Sequence, residues 1–430
     1  MNVMKKYIDW GKQMLFSATA KDTFVLFAGN LTSAFWGFAF TLFAARSMSV
    51  FEFGIFSAVL NFVIILSSVA DIGISTGSIN FVSAYTTKGE HEKANEYTKA
   101  AFIIRFFIVS GISILIAIFA PYISKIFLAS TDPKIAIWSA VLPIFLFPDM
   151  FFPHILRARK KFFHSTLIDN VFYFVRLVFA FVFYLIGGLT MNRAFWAFGA
   201  GFVVEMILIL FTVKKDFLRS KPQKEEYGNL LKFSGWMGIN SIISSISGRL
   251  DIQMLASMVG AVATGLYSIP SRLASFVSIL AGSFSSVLAP RLASFGDRES
   301  ERKYILKSLL AVIPIIAGII LWIIIAKPFI VTLFGIKYLE SVPVFQALAI
   351  AQAPSLLTIP AVSAIIYSMK KTVYIGAFSF FQIVAIFLLN FFLIPKYGVF
   401  GPTITLGIIN TIQAIYSWII VVRHYWGKSN

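Results

Sequence analysis

Twelve apolar stretches recur along this chain, each of about twenty residues or more, the length that crosses roughly 30 Å of hydrocarbon at helical rise. Their approximate limits are 24–45, 53–75, 99–120, 135–156, 166–187, 194–213, 230–257, 262–288, 305–326, 342–368, 372–394 and 399–422. Backbone amides in lipid must be satisfied within their own segment, so each stretch is expected to be a helix. Several exceed a straight crossing, which implies tilt, kinks or extension beyond the bilayer. A composition of 58% hydrophobic and 13% charged residues, with mean hydropathy +0.83, lies outside the range of soluble domains. The expected class is an all-α polytopic membrane protein.

Lysine and arginine test the span count independently, because cytoplasmic loops are enriched in them. With both termini and alternate loops placed inside, 25 of the 37 basic residues fall inside and 7 outside, and five (Arg105, Arg176, Lys232, Arg249, Arg272) fall within spans. Both termini are therefore expected in the cytoplasm. The net charge of +18, which in a soluble chain points to nucleic acid, is explained here by that placement, and no nucleic-acid partner is expected. The opening MNVMKKYIDWGKQMLFSATAKD is basic and amphipathic and lacks the features of a signal peptide, so it reads as a cytoplasmic surface helix.

The polar stretch 214–228 is too short to fold alone and divides the chain near its midpoint. Six spans precede it and six follow, giving an N-terminal lobe 1–213, a cytoplasmic linker 214–228 and a C-terminal lobe 229–430. The halves echo each other. EFGIFSAVLNFVIILSS around Gly54 matches TGLYSIPSRLASFVSILAG around Gly265, and FYLIGG from Phe183 matches FFLIPKYG from Phe391, at offsets of 211 and 208 residues. An even number of spans per half makes the repeat parallel, so the expected shape is two pseudo-symmetric six-helix lobes facing across a cavity.

Charges inside such spans are costly, about 2.5–3.5 kcal/mol each on insertion scales, and mark functional candidates by default. Arg105, Asp149 and Asp169 lie near the cytoplasmic boundary, where snorkelling or pairing accounts for them. Arg176, Glu205 and Arg272 lie deeper, with Arg249 and Asp251 toward the outer half of a long helix. Two readings stand side by side: Arg176 pairs with Glu205 and Arg272 with Asp251 to stitch helices together, or the guanidinium groups face a wet cavity and grip phosphate oxygens. On the second reading Arg176, Arg272, Arg249, Arg105 and Tyr173 are candidates for binding an anionic cargo, and Glu205 and Asp251 for sensing an ion gradient of H+ or Na+. Trp36, Asn61, Asn240, Gln352 and Gln382 are candidate sugar contacts if they face inward.

Pro148, Pro270, Pro354 and Pro360 fall within spans and are candidate kink or gating positions, since each removes a helical hydrogen bond. ADIGISTG, from Ala70 to Gly77, reads as close helix packing or a hinge. Cysteine is absent, the four histidines have no metal-ligand spacing, and no phosphate-loop lysine motif occurs, so neither a metal nor another cofactor is expected.

FEFGIFSAVLNFVIILSSVADIGIS at 51–75, VATGLYSIPSRLASFVSILAGSFSSVLAPRLASF at 262–295, LFGIKYLESVPVFQALAI at 333–350 and YGVFGPTITLGIIN at 397–410 resemble the polysaccharide (O-antigen type) flippases of the multidrug/oligosaccharidyl-lipid/polysaccharide (MOP) exporter superfamily. The resemblance implies a V-shaped fold of the kind found in the superfamily's multidrug exporters, twelve helices and no enzymatic activity. It also implies movement of a polyprenyl-pyrophosphate-linked oligosaccharide from the inner to the outer leaflet of a bacterial or archaeal cytoplasmic membrane, with lipids and polysaccharide-assembly proteins as partners. A cation or drug antiporter of the same superfamily and a membrane glycan polymerase or ligase are the competing readings.

Overall fold

The structure, a computed structural model, describes residues 18–295 and 297–427, with the side chains of 18–20, Trp236, Met237, Asn240 and Ile279 left aside. The expected surface helix over the first residues lies largely outside the described residues, as does the Asn240 side chain. Every regular element described is helical. In chain order these are α1 Ala18–Ser47, α2 Val50–Asp71, α3 Ile74–Thr87, α4 His91–Ile118, α5 Ala120–Phe127, α6 Pro133–Ala158, α7 Phe162–Gly187, α8 Met191–Thr212 and α9 Asp216–Arg219. They continue with α10 Lys224–Ser247, α11 Leu250–Met258, α12 Ala261–Ser294, α13 Arg298–Leu310, α14 Ile313–Ile324, α15 Ala326–Phe334, α16 Ser341–Ser363, α17 Thr372–Tyr397 and α18 Gly401–Tyr425.

Among the described residues, ten helical runs are long and apolar enough to span a bilayer. The last of these, Thr372–Tyr425, is doubled back on itself: Gly398 takes φ +54°, and Tyr416 in α18 stacks on Phe378 near the start of α17 and donates its hydroxyl to the Tyr374 carbonyl at 3.1 Å. The apolar stretch 230–257 is not among the ten. It breaks at Gly248 and Arg249 into α10 and α11, and the serines of NSIISSISG dilute its hydropathy. Large apolar side chains turn outward throughout, Phe211 being 85% exposed, and such a surface is stable against acyl chains, not water. This is a multi-pass membrane protein.

Packing divides the chain into two compact units. Of the described residues, the first holds 18–48, Val63–Ala120 and Lys134–Ile242; the second holds Ser49–Phe62, Pro121–Pro133 and those from Ile243 to 427. The segments 49–62 and 121–133 thus pack with the second unit although both precede the 214–228 stretch. In the first unit α4, α6 and α9 build an aromatic core in which Phe102, Phe147, Phe151, Phe152 and Phe217 interlock edge to face and stacked. In the second, α12, α16 and α18 share one apolar core containing Val277, Leu356, Ile359 and Val421. The prolines do not end their helices: α6 runs through Pro148, α12 through Pro270, and α16 through Pro354 and Pro360 before widening into a π-helical turn at Ala364–Ser368.

The two glycines aligned by the internal echo meet in the second unit. A Cβ built on Gly54 collides with the Ala261 carbonyl and lies 3.0 Å from the Gly265 amide, and one built on Gly265 collides with the Val50 carbonyl. Small residues permit this backbone-to-backbone approach. Gly54→Ala is expected to destabilise the protein at the upper end of the ~1–3 kcal/mol overpacking range, because backbone cannot move aside as a side chain can. Thermal unfolding in detergent checks it; an unchanged midpoint would show that α2 and α12 separate freely. In the first unit Gly73, at φ +74°, turns α2 into α3 against the backbone of Gly238, so ADIGISTG is a close-packing element there.

Candidate functional site

In the first unit α7 carries Arg176 inward, 6% exposed, into a box of aromatic rings. Its guanidinium carbon lies 4.4 Å from the centroid of Phe40, 4.5 Å from Phe198, 4.8 Å from Tyr173 and 5.7 Å from Phe172. Cation–π attraction, about 2 kcal/mol or more for a desolvated cation, holds the charge without consuming its N–H donors. No ion pair to Arg176 occurs among the described residues, and its Nε has no hydrogen-bond partner.

Beside the box is a cavity of about 360 Å³ lined by Asn30, Ser33, Ala34, Gly37, Asp149, Asp169 and Tyr173. Tyr173 therefore belongs to both box and cavity. Gly37 brings them together: a Cβ there would sit 3.5 Å from the Tyr173 ring and 3.8 Å from Arg176 Nη2. Asp169 is paired with Arg157 at 2.8 Å, whereas Asp149 Oδ1 is buried without a partner. Glu205, on α8, is fully buried with neither carboxyl oxygen hydrogen-bonded, and it lies within electrostatic reach of Asp149 and Asp169.

Arg105 has a different environment. Its Nη1 is 3.0 Å from Asp71 Oδ1 and donates to Ser75 Oγ at 2.9 Å and to the Met150 carbonyl at 2.6 Å, so the group ties α4 to α2, α3 and α6. Asn61 is likewise committed to packing, donating to the Arg249 carbonyl at 2.9 Å and to Gln253 Oε1 at 3.3 Å.

In the second unit a cavity of about 480 Å³ is lined by α12, α16, α17 and α18 together with Ser247, Gly248 and Asp251. Gln352 faces it, as the sequence suggested it could, and so do serines at 271, 275, 278 and 285, which helical spacing places on one face of α12. Asp251 accepts from the Tyr267 hydroxyl at 2.7 Å and from the Ile252 amide at 2.7 Å. Arg249, at the break before α11, and Arg272, on α12, are both half-buried, and no arginine lines either cavity described here. The serine stripe and the aromatic box were not singled out from sequence. The stripe was readable as a period of three to four; the box joins residues from α1, α7 and α8 and had no linear signal.

A family model for polysaccharide biosynthesis proteins matches residues 19–296. The chain belongs to this family. Among curated relatives of this family member, an uncharacterized membrane protein in the cps region of Klebsiella pneumoniae is 26% identical over 254 residues, 57% of this chain and 52% of that protein. A putative O-antigen transporter of Shigella flexneri is 23% identical over 210 residues, 48% of this chain and 50% of that protein. The chain thus spans about half the length of these two relatives. Among solved structures, a multidrug resistance MATE family transporter of the MOP superfamily in an inward-facing conformation superposes with TM-score 0.72 at 15% identity, over 93% of this chain and 96% of the other. The lipid II flippase MurJ, in an inward closed conformation, gives TM-score 0.71 at 19% identity, over 93% and 87%. The family member shares their fold, and the polysaccharide-family resemblance read from its sequence agrees with the family model that matches.

Proposed function

We propose that the protein is a flippase that moves a polyprenyl-pyrophosphate-linked oligosaccharide from the inner to the outer leaflet of the cytoplasmic membrane by alternating access, coupled to an ion gradient. The proposal includes twelve spans in two lobes and cytoplasmic termini, as the charge distribution of the loops supports. The carrying observation is Arg176: a buried guanidinium stacked among aromatics, next to a polar cavity, with no carboxylate ion-paired to it among the described residues. A permanently charged group held this way in a membrane protein retains its donors for an oxyanion, and a pyrophosphate supplies one. The sugar-phosphate head needs a hydrated polar route, whereas the polyprenyl tail stays in lipid. No chemical step on the cargo is required, so the protein acts as a carrier and not as a glycan polymerase or ligase.

The test is translocation of a fluorescent polyprenyl-pyrophosphate oligosaccharide in proteoliposomes, scored by access of an external glycosidase. Protection equal to that in protein-free vesicles would reject the reading.

Glu205 is the coupling candidate, since a buried carboxyl without a hydrogen-bond partner is stable only if it takes up a proton or a cation. Glu205→Gln is expected to keep facilitated equilibration of the lipid while losing at least tenfold of its gradient-driven accumulation. Gradient dependence indistinguishable from wild type would remove Glu205 from this role. A second reading, cation or drug export, is favoured by Asp149 and Asp169 on the wall of the first cavity. Cation efflux from vesicles without lipid translocation would establish it instead.

A further inference from the structure

We propose that the cavity of the second unit is a subsite for uncharged sugar residues, neutral hexoses and N-acetylhexosamines, of the cargo; this rests on the flippase reading above. At about 480 Å³ the cavity is within the range of roughly 300–1,000 Å³ typical of small-molecule sites. Its wall is rich in hydroxyl and amide groups and, among the lining residues, includes no lysine, arginine or histidine. The one carboxyl, Asp251, has both oxygens engaged, by Tyr267 and by the Ile252 amide.

Two lining side chains are buried with polar atoms unmatched by the protein. Asn390 on α17 is fully buried, and neither its amide oxygen nor its amide nitrogen has a partner; Thr405 on α18 is 2% exposed, and its Oγ1 has none. Their neighbour Asn410, by contrast, is held by the Ala351 carbonyl at 2.8 Å. Packing against apolar helices favours leucine or valine at such positions, because a buried polar group left unpaired is costly and an apolar replacement of similar shape is not. A side-chain amide offers one acceptor and two donors, and a sugar hydroxyl both donates and accepts, so the two are complementary. An acidic sugar finds no cation among the described residues of this wall and does find Asp251. The pocket therefore discriminates by charge as well as by hydrogen bonding, and the exposed Ser278 at its edge offers a place to alter that preference.

The experiment uses the full chain in nanodiscs and three probes: a short-chain polyprenyl pyrophosphate without sugar, the same lipid bearing an N-acetylhexosamine trisaccharide, and the same lipid bearing a trisaccharide ended by glucuronate. Wild type is expected to bind the neutral-sugar lipid at least tenfold more tightly than the bare lipid. The pair Asn390→Leu with Thr405→Val is expected to abolish that preference while leaving affinity for the bare lipid unchanged, with thermal stability retained or raised. Ser278→Arg is expected to shift preference at least tenfold toward the glucuronate probe, a gain that a misfolded protein does not produce. Retention of the wild-type neutral-sugar preference in the double variant overturns the subsite, as does equal binding of bare and neutral-sugar lipids by wild type or an unmoved preference in Ser278→Arg. Failure of wild type to bind any of the three lipids defeats the flippase reading, and the subsite falls with it.

Discussion

Arg176→Ala is expected to lower translocation of the lipid-linked oligosaccharide by about 10- to 100-fold, which corresponds to about 1.4–2.8 kcal/mol. The substitution removes the charge and leaves Phe40, Tyr173 and Phe198 facing a void, so the amount of folded protein is measured alongside transport. Arg176→Lys separates charge from geometry. An ammonium keeps the charge but not the planar fork, and it is more strongly hydrated than a guanidinium, so it is a poor substitute in this box. Lysine is therefore expected to restore folded protein but less than a tenth of the transport rate. Wild-type transport with alanine would show that the box is only packing and would withdraw the anion-binding role.

Arg105→Met is expected to destabilise the protein by about 3–5 kcal/mol, because it leaves Asp71 as an uncompensated charge among packed helices. The guanidinium also serves Ser75 and the Met150 carbonyl, so its loss frees three helices from α4 at once. Adding Asp71→Leu is expected to recover most of that loss, since a well-packed apolar pair often equals or exceeds a buried ion pair in stability. Thermal unfolding of the two single variants and the double variant checks this, with transport of the double variant assayed at a temperature where it is folded. Transport near wild type would confirm that Arg105 acts in packing. Wild-type stability with abolished transport in the double variant would instead return Arg105 to the cargo path.

The depth of a charge along the sequence was a useful but incomplete guide. Arg105 and Arg176 look alike in a linear reading, each the single arginine of an apolar stretch. What separates them is which helices lie alongside: Asp71 meets Arg105 from α2, whereas Arg176 meets aromatic rings from α1 and α8. The pairing of Arg176 with Glu205, one of the two readings of these charges, does not occur among the described residues, and Glu205 instead lies within electrostatic reach of two other acids. The internal echo pointed at Gly54 and Gly265 as equivalent positions, but their mutual contact is a property of packing in the second unit and is not implied by similarity.

The sequence by itself determined the solvent, the helices and the family. These follow from local quantities: hydrocarbon-length apolar runs, backbone hydrogen bonds that lipid forces inward, and motifs read in order along one chain. Tertiary structure alone decided which buried charges are neutralised, which polar side chains share a cavity, and where 49–62 and 121–133 belong. In lipid an apolar helix face gains little by choosing one apolar neighbour over another, so partner choice rests on close backbone approach and a few polar contacts between residues far apart in the chain.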